Sequence, residues 1–288
     1  MASGKSAERP AVTASGPAFA FGRNWRNFLG RLSEERIGAA VRSLSALLAA
    51  DTLGGKRFLD VGSGSGLFSL AALRLGAAEV RSFDADPESV ACALELRRRY
   101  CPEETRWAIS AGSVLDRTFV DSLGKFDVVY SWGVLHHTGD MWGAFDIVRR
   151  AVAPGGLLAI AIYNDQGGKS RVWRWIKKAY CRTPRPLRTV LFVPIPLYFE
   201  GRRAIAGLAQ GRLRALTPRD QDARGMSPYC DWIDWLGGYP FEVAKPEEVV
   251  SFFEGKGFGT ERVVAVGGGS GNNEYVFRAP AADAAERD

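Results

Sequence analysis

The sequence has 288 residues with 38 Lys and Arg against 32 Asp and Glu, a formal net charge of +6, and 46% hydrophobic residues. This length suffices for one large domain with an elaboration, or for two small domains. No apolar run approaches the roughly 20 residues that span a bilayer, and the N-terminus lacks the apolar core of a signal peptide. We therefore predict a cytoplasmic protein.

The cysteines and histidines do not form a metal-site pattern. Four cysteines are scattered without CxxC or CxxH spacing, and the only two histidines are adjacent, at His136 and His137. Metal sites built from these residues need several ligands at short, regular spacings. We predict reduced cysteines and no bound metal.

Positive charge is concentrated in one segment. Residues 169–224 contain 14 Lys and Arg against three acidic residues, a net charge of +11, so the rest of the chain sums to −5. Three interpretations stay open: solvated helix faces, peripheral contact with an anionic surface such as acidic lipid, and binding of nucleic acid. Because no RNA-binding module is recognisable, we expect no nucleic-acid partner.

The N-terminal region begins with a tail and continues as a helical lid. Residues 1–18 are rich in Ala, Ser, Gly and Pro, as are residues 279–288, and both segments are predicted to be disordered. Within residues 19–56, the apolar residues Trp25, Phe28 and Leu29 recur at helical spacing. A second helix is predicted from an N-cap at Ser33 to about residue 50.

Strands and helices alternate over residues 57–163. The hydrophobic pattern predicts strands at 57–61, 80–84, 107–111, 127–131 and 157–163, helices at 67–75, 88–100 and 141–152, and a turn at Pro154-Gly155-Gly156. This alternation indicates a doubly wound α/β sheet, in which ligands bind at the carboxyl ends of the strands.

The regular pattern stops after strand 5. Residues 164–244 are predicted to form an inserted cap with basic helices at 172–180 and 202–216, an apolar segment at 190–199 and a segment dense in aromatic residues at 226–241. A helix at 246–256 and strands at 258–266 and 275–278 then complete the core within residues 245–278. We expect these two strands to pair antiparallel at the edge of the sheet, joined by the glycine-rich loop 267–271.

A glycine-rich turn follows strand 1. Gly62, Gly64 and Gly66 lie between the strand and the helix that starts at Leu67, where the missing Cβ atoms let the backbone approach a ligand. Asp84 ends strand 2, where a carboxylate can accept hydrogen bonds from a ribose. The sequence therefore predicts a nucleoside site. The spacing is GxGxG and not the GxGxxG of dinucleotide-binding proteins, which argues against NAD(P).

Four motifs together resemble the class I S-adenosylmethionine-dependent methyltransferases. They are Leu-Asp-Val-Gly-Ser-Gly-Ser-Gly at 59–66, the acid at Asp84, Val-Leu-His-His at 134–137 and Pro-Gly-Gly at 154–156. The Val-Leu-His-His form is similar to the branch that contains quinone-biosynthesis and many small-molecule methylases. The resemblance covers residues 57–163 and extends more weakly to the end. It implies a mainly parallel seven-stranded sheet with an α-helical, aromatic cap inserted after strand 5.

The resemblance also implies a set of contacts to S-adenosyl-L-methionine and to its product S-adenosyl-L-homocysteine. The amino-acid end of the cofactor would be held by Asp60 and by the loop residues Gly62, Ser63, Gly64 and Gly66. Asp84 would bind the ribose, and Ala85, Ser113 and Val114 would line the adenosine. Ser131 would lie beside the methionine portion. The family often has an acid where Ser113 stands. The adenine amino group would therefore be held more weakly, or by Asp116.

Methyl transfer to oxygen or nitrogen needs alignment of the acceptor and a place for its proton. His136 follows strand 4 on the predicted cofactor edge, and we predict that it acts as a base or orients the acceptor. His137 is expected to hydrogen-bond a loop. Tyr163, at the end of strand 5, is the second candidate for contact with the acceptor.

The acceptor is expected to be a small aromatic or apolar molecule, because aromatic residues are available to enclose it: Trp25, Trp232, Trp235 and Tyr239. The primary prediction is a small-molecule O- or N-methyltransferase. Two alternatives stay open. One is methylation of a lipid-linked, peptide or carrier-bound acceptor, with peripheral membrane contact through residues 169–224. The other is a non-catalytic protein that binds S-adenosylmethionine and works by interaction.

Overall fold

Five parallel strands of largely apolar sequence form the centre of the computed structural model. The structure describes residues 25, 28–30, 32–184, 187–188, 192–209, 236–267, 269 and 271–282. Successive strand residues point to opposite faces of the sheet, so Phe58 packs into one hydrophobic cluster and Leu59 into the other. Val128 and Val129 divide in the same way. The sheet is therefore covered on both faces, as the apolar strand runs predict.

The strands and helices alternate as predicted. In chain order they are α1 Glu34–Leu48, β1 Arg57–Val61, α2 Leu67–Arg74, β2 Glu79–Asp84, α3 Pro87–Tyr100, β3 Trp107–Ala111, α4 Arg117–Ser122, β4 Phe126–Trp132, α5 Met141–Val148, β5 Val152–Tyr163, α6 Gly168–Arg182, α7 Pro194–Ala209, α8 Pro246–Glu254, β6 Gly259–Val264 and β7 Asn272–Arg278. Short 3-10 turns cover Leu135–His137 and Arg149–Ala151.

The seven strands are ordered β3-β2-β1-β4-β5-β7-β6. Strands β1 to β5 are parallel, β7 is antiparallel to β5, and β6 is antiparallel to β7. The predicted antiparallel pair at the sheet edge is therefore confirmed. The carboxyl ends of β1, β2, β4 and β5 meet at one edge, which places the glycine turn, Asp84, the two histidines and Tyr163 together.

The local starts of the helices follow ordinary capping chemistry. Ser33 Oγ accepts a hydrogen bond from the Arg36 N–H at the start of α1. Asp86 Oδ1 accepts one from the Glu88 N–H, and Pro87 fills the first position of α3. The Ser33 cap was predicted from the sequence, and both helices begin within one residue of the prediction.

Three local predictions were wrong. Pro154-Gly155-Gly156 lies inside β5 and not in a turn before it, because the Gly155 N–H donates to the Pro280 carbonyl and Gly156 accepts from the Ala279 N–H. The hydrophobic pattern missed helix α4, whose N-cap is Asp116. The apolar segment 190–199 and the basic helix 202–216 were predicted as separate elements, but α7 spans both from Pro194 to Ala209.

The predicted domain boundaries stay predictions. Four predicted segments lie wholly or mostly outside the described residues: the tail at 1–18, residues 283–288 of the tail predicted at 279–288, the lid before Ser33 and the aromatic segment at 226–241. In the C-terminal tail, Ala279 and Pro280 hydrogen-bond to β5. Among the described helices, none combines the length and apolar character needed to cross a bilayer.

Candidate functional site

The glycine turn takes a conformation that only glycine adopts readily. Gly62, Gly64 and Gly66 have φ values of 71°, 53° and 80°. The N–H groups of Gly62 and Ser63 donate to the Phe83 carbonyl at 2.9 and 3.0 Å, which ties the turn to the end of β2. A Cβ atom at Gly62 would lie 2.4 Å from the Val134 side chain. The turn therefore touches the segment that carries the two histidines.

Asp84 connects the end of β2 to the glycine turn of the predicted nucleoside site. Its Oδ2 atom accepts a hydrogen bond from the Gly64 N–H at 2.9 Å, and its Oδ1 atom accepts one from the Asp86 N–H at 2.8 Å. Burial raises the pKa of this carboxyl to about 6, although the backbone donors oppose that shift. A carboxylate has about four acceptor positions, more than these backbone donors fill, so a ribose hydroxyl can use the remainder.

Asp60 lies beneath the turn, at the end of β1. The carboxyl is almost fully buried, and its Oδ2 atom accepts a hydrogen bond of 2.6 Å from the Ser69 hydroxyl on α2. Burial raises its pKa to about 7, with a smaller contribution from the negative charge of Asp84. Two acidic groups near the same turn create a negative potential that favours a cationic ligand.

Ser63 provides a test of whether a ligand fits here. Its hydroxyl is buried, and none of the described residues forms a hydrogen bond with it. A buried hydroxyl without a partner costs free energy unless a water molecule or a ligand satisfies it. The donor groups of the turn, the acceptor positions of Asp84 and this hydroxyl together match the polar groups of a nucleoside that carries an amino-acid tail.

The other residues that the resemblance assigns to the cofactor lie at the same edge but differ in exposure. Ala85 is exposed, Ser113 is half-buried and Val114 is buried. The Ser113 hydroxyl accepts a hydrogen bond from the Leu115 N–H at 3.2 Å. Ser131 is fully buried, and its hydroxyl donates to the Val61 carbonyl at 3.1 Å, so this side chain links β4 to β1.

Trp25 covers the turn from the N-terminal side. A Cβ atom at Gly64 would lie 2.8 Å from Cε2 of its indole ring. The ring also packs edge-on against Phe28, with 5.9 Å between centroids. The sequence placed Trp25 in the acceptor pocket, and the structure brings it to the glycine turn.

The two histidines and Tyr163 form one aromatic cluster. The His136 ring centroid lies 4.3 Å from that of His137 and 4.2 Å from that of Tyr163. Phe241 extends the cluster, with its ring 5.3 Å from Tyr163. Residues that are distant in sequence therefore meet beside Val134, which touches Gly62.

The histidines are uncharged at neutral pH. Burial lowers the pKa of His136 well below 6.5, and it lowers the pKa of His137 to about 3. The positive charge of Lys177 acts in the same direction on both rings. The Nδ1 atom of His137 lies 2.7 Å from the Pro240 carbonyl, so this nitrogen carries the proton and donates it to that loop.

Lys177 belongs to this cluster, although the sequence singled it out only as one of many basic residues in the segment 169–224. The side chain is fully buried, and its Nζ atom lies 5.2 Å from the Tyr163 ring centroid and 4.9 Å from that of Phe241. On α6 it shares the buried face with Ser170 and Cys181, at intervals of helical periodicity.

The other predicted acceptor contacts are only partly described. Trp232 and Trp235 lie outside the described residues. Tyr239 is half-buried and immediately precedes Pro240, whose carbonyl faces His137. The Glu242 N–H donates to the His136 carbonyl at 3.0 Å, which fixes the same loop against the 3-10 turn.

Comparison with known proteins identifies a family with a similar sequence and structures with the same fold. Residues 59–158 match the model of a family described as a methyltransferase domain. The matched stretch contains the glycine turn, Asp84 and both histidines.

Individual relatives differ in what they act on. The chain is 28% identical over 187 residues to a tRNA U34 carboxymethyltransferase from Methylococcus capsulatus, covering 64% of this chain and 55% of that protein. It is 31% identical over 145 residues to a ubiquinone biosynthesis O-methyltransferase from Cereibacter sphaeroides, covering 48% and 55% respectively. The chain thus spans little more than half the length of these curated relatives.

One solved structure shares the fold over most of both chains. Magnesium protoporphyrin IX methyltransferase from Synechocystis, crystallised with bound SAH, covers 89% of this chain and 93% of that one with a TM-score of 0.51 and 15% identity. At this identity the likeness concerns the fold.

Proposed function

We propose that this chain is an S-adenosylmethionine-dependent methyltransferase that transfers a methyl group to an oxygen or nitrogen atom of a small aromatic or apolar molecule. The observation that carries the proposal is the contact between two features at one sheet edge. The glycine turn with Asp84 forms a nucleoside site, and Gly62 touches Val134, which leads directly into the cluster of His136 and Tyr163.

The proposal of a bound cofactor rests on the hydrogen-bond donors and acceptors at the glycine turn. Asp84 would accept the ribose hydroxyls, while Ser63 and N–H groups at the start of α2 would hold the amino-acid tail. Asp60 and Asp84 would face a ligand with positive charge. When bound, this cofactor supplies an electrophilic methyl group on a sulfonium.

On the acceptor side, the chain has to position the acceptor atom and exclude water. His136 is fully buried and Tyr163 half-buried at the strand ends, in contact with each other. The low pKa of His136 leaves a neutral imidazole, which favours the role of orienting the acceptor over that of a strong base. Alignment of this kind accounts for several kcal/mol of a transfer barrier.

The proposal is tested in two stages. Isothermal titration with S-adenosylmethionine and S-adenosylhomocysteine measures cofactor binding, and a transfer assay with the methyl-labelled cofactor and a library of phenols, catechols, amines and quinols measures activity. Binding with transfer to a library member supports the proposal. Absence of cofactor binding contradicts it, and binding without transfer to small molecules, peptides or carrier-linked acceptors favours a non-catalytic role.

A lipid-linked acceptor is the second candidate, and one surface favours it. Helices α6 and α7 expose large apolar side chains, among them Trp175, Leu197 and Ile205. The same helices carry Lys169, Arg171 and Arg202, all exposed. Apolar side chains flanked by basic ones are typical of helices that lie on anionic membranes.

A further inference from the structure

A cleft lies beside the aromatic cluster, between the N-terminal parts of α5, α6 and α8. Its volume is about 330 Å³, which is enough for part of a small molecule. Trp142 at the start of α5 forms an aromatic wall and is 39% exposed. Most of the other lining residues are polar, and they come mainly from α6 and from the segment that precedes it. None of them belongs to the predicted cofactor site.

Two arginines on α6 provide the positive charge of the cleft. Arg171 and Arg174 both line it, and both are exposed to solvent. The Nε N–H of Arg174 donates to the Phe241 carbonyl at 3.1 Å, while its other N–H groups donate to none of the described residues. The Arg171 side chain forms no hydrogen bond or ion pair with the described part of the chain. A guanidinium group presents a planar fork of donors that matches a carboxylate or a phosphate.

Two carboxylates also line the cleft, and both already accept hydrogen bonds from the backbone. Asp165 Oδ1 accepts from the Gly167 N–H at 2.8 Å, and Glu248 Oε2 accepts from the Lys245 N–H at 2.8 Å. They lie at the N-terminal ends of α6 and α8, where the helix dipole compensates part of their negative charge. Among these described side chains, neither acid forms an ion pair with an arginine of the cleft. The guanidinium groups are therefore available to an anion from solution.

The cleft adjoins the aromatic cluster at the end of β5. The Phe241 carbonyl binds Arg174, while the Phe241 ring packs against Tyr163 with 5.3 Å between centroids. Asp165 follows Tyr163 by two residues, a span of about 7 Å in an extended chain. These short separations allow one small molecule to reach both the cleft and Tyr163.

We propose that Arg171 and Arg174 bind an anionic group of the methyl acceptor, a carboxylate or a phosphate, so that the acceptor is an aromatic compound with an acidic tail. This inference rests on the proposed methyl transfer and specifies its acceptor class. The anionic group lies in the cleft and does not react. The aromatic part, which carries the accepting atom, extends to Tyr163.

The test uses probes that share a hydroxyphenyl group and a short chain but differ in the charge of the tail. They are 4-hydroxyphenylpropanoate, the corresponding propyl phosphate, the neutral propanamide and the zwitterion tyrosine. Affinities are measured by nuclear magnetic resonance titration of the full chain, with and without S-adenosylhomocysteine. The wild type should bind an anionic probe about tenfold more tightly than the amide, as expected for two partly exposed ion pairs. The tighter of the two anionic probes identifies the tail as a carboxylate or as a phosphate.

Arg171→Gln should reduce the preference for the anionic probe by about threefold to fivefold, the range for one exposed charge pair. In the transfer assay it should raise the KM of an acidic acceptor and leave kcat near that of the wild type, because the lost contact is remote from the reacting atom. Its side chain bonds to no described residue, so this variant should fold. Arg171→Lys keeps the charge and should retain most of the preference.

Arg182→Gln is the matched control, because Arg182 is an exposed arginine at the other end of α6 and outside the lining of the cleft. It should leave both the preference and the KM unchanged. Melting temperature and affinity for S-adenosylhomocysteine are measured on each variant to show that it is folded.

Four results would overturn the proposal. They are equal affinity of the wild type for the anionic probes and the amide, no binding of any probe, an unchanged preference in Arg171→Gln, and tightest binding of tyrosine, which would assign the cleft to a zwitterion. Transfer to neutral acceptors but to no acidic one would also contradict it. Absence of S-adenosylhomocysteine binding in the wild type would instead contradict the proposed methyltransferase, while the preference for an anion is still read on the unliganded protein.

Discussion

The indole ring of Trp25 packs directly on Gly64, so closely that a Cβ atom at position 64 would lie 2.8 Å from its Cε2 atom. This contact joins the N-terminal segment to the turn that we assign to the cofactor. Gly64 also donates its N–H to Asp84, so a substitution at Gly64 affects both the contact with Trp25 and the hydrogen bond to Asp84.

Gly64→Ala should weaken S-adenosylhomocysteine binding by about tenfold or more, because φ of 53° is strained for alanine and the added carbon meets the indole ring. Isothermal titration measures the effect. Gly55→Ala is the control, since Gly55 has φ of 74° but an added Cβ atom there would meet nothing within 4 Å. Equal affinities for the two variants would show that the contact with Trp25 is irrelevant to binding.

Asp84→Asn should lower cofactor affinity by about tenfold to a hundredfold, because a charged acceptor for the ribose hydroxyls becomes a neutral one. The control is Asp86→Asn, which removes a charge two residues away while asparagine still caps α3. Both affinities are read by calorimetry at pH 8, above the pKa of about 6 that burial gives Asp84. Undiminished binding by Asp84→Asn would refute the assignment of this residue.

Asp60 should make the unliganded protein less stable as pH rises. Its folded pKa of about 7 lies above the ordinary 3.8, so the folded state binds more protons between these values, and stability is lost as pH rises through this range. Asp60→Asn removes this pH dependence. The free energy of unfolding of the variant should therefore exceed that of the wild type by an amount that grows from pH 4 to pH 7 and is constant above. The gain is at most about 4 kcal/mol.

Urea unfolding at a series of pH values measures this difference. Asp51→Asn, an exposed carboxyl, should give a curve parallel to that of the wild type. A constant difference between Asp60→Asn and wild type across the range would contradict the raised pKa.

His136→Asn should reduce kcat by about a hundredfold, in the range attributed to a positioned catalytic group, with cofactor affinity near that of the wild type. His137→Asn is the companion variant: it loses the hydrogen bond to the Pro240 carbonyl and should affect the melting temperature more than the reaction. The kcat of each variant is measured in transfer assays with the best acceptor from the library. Unchanged kcat in His136→Asn would exclude its contact with the acceptor.

Helices α6 and α7 should bring the protein to anionic vesicles if the acceptor is lipid-linked. Co-sedimentation with phosphatidylserine-containing vesicles is expected at low salt and should decrease at high salt. Trp175→Ser, at a side chain that is 71% exposed, should reduce binding, whereas Leu94→Ser on α3 should not. Equal sedimentation with neutral and anionic vesicles, or none with either, would argue for a soluble acceptor.

The sequence predicted the sheet correctly because its signals are local, and the nucleoside site at its edge stays a prediction. Apolar runs marked β1 to β5, and glycine spacing with Asp84 marked the nucleoside site. The extent of β5 was missed because Gly155 and Gly156 find partners at Pro280 and Ala279, more than a hundred residues further along the chain. Helix α4, with only six residues, is too short for hydrophobic periodicity to detect.

The composition of the histidine cluster was harder to predict. His136 and Tyr163 were identified from their positions at strand ends, but nothing near them in sequence indicates Phe241 or Lys177. Lys177 lies among many basic residues, and only the tertiary contacts distinguish it from its neighbours. A buried charge is decided by packing, whereas residue type alone predicts exposure.

The segment between Asn164 and Ala244 leaves the sheet and returns to it at the same point. Asn164 pairs with Ala244 in an isolated bridge, the Ala244 N–H donates to the Tyr163 carbonyl, and the Asp165 N–H donates to the Ala244 carbonyl. Closing a longer loop costs little additional entropy. Evolution can therefore lengthen, shorten or replace this excursion without disturbing the strands, so that one scaffold can acquire new acceptors while its cofactor chemistry is inherited unchanged.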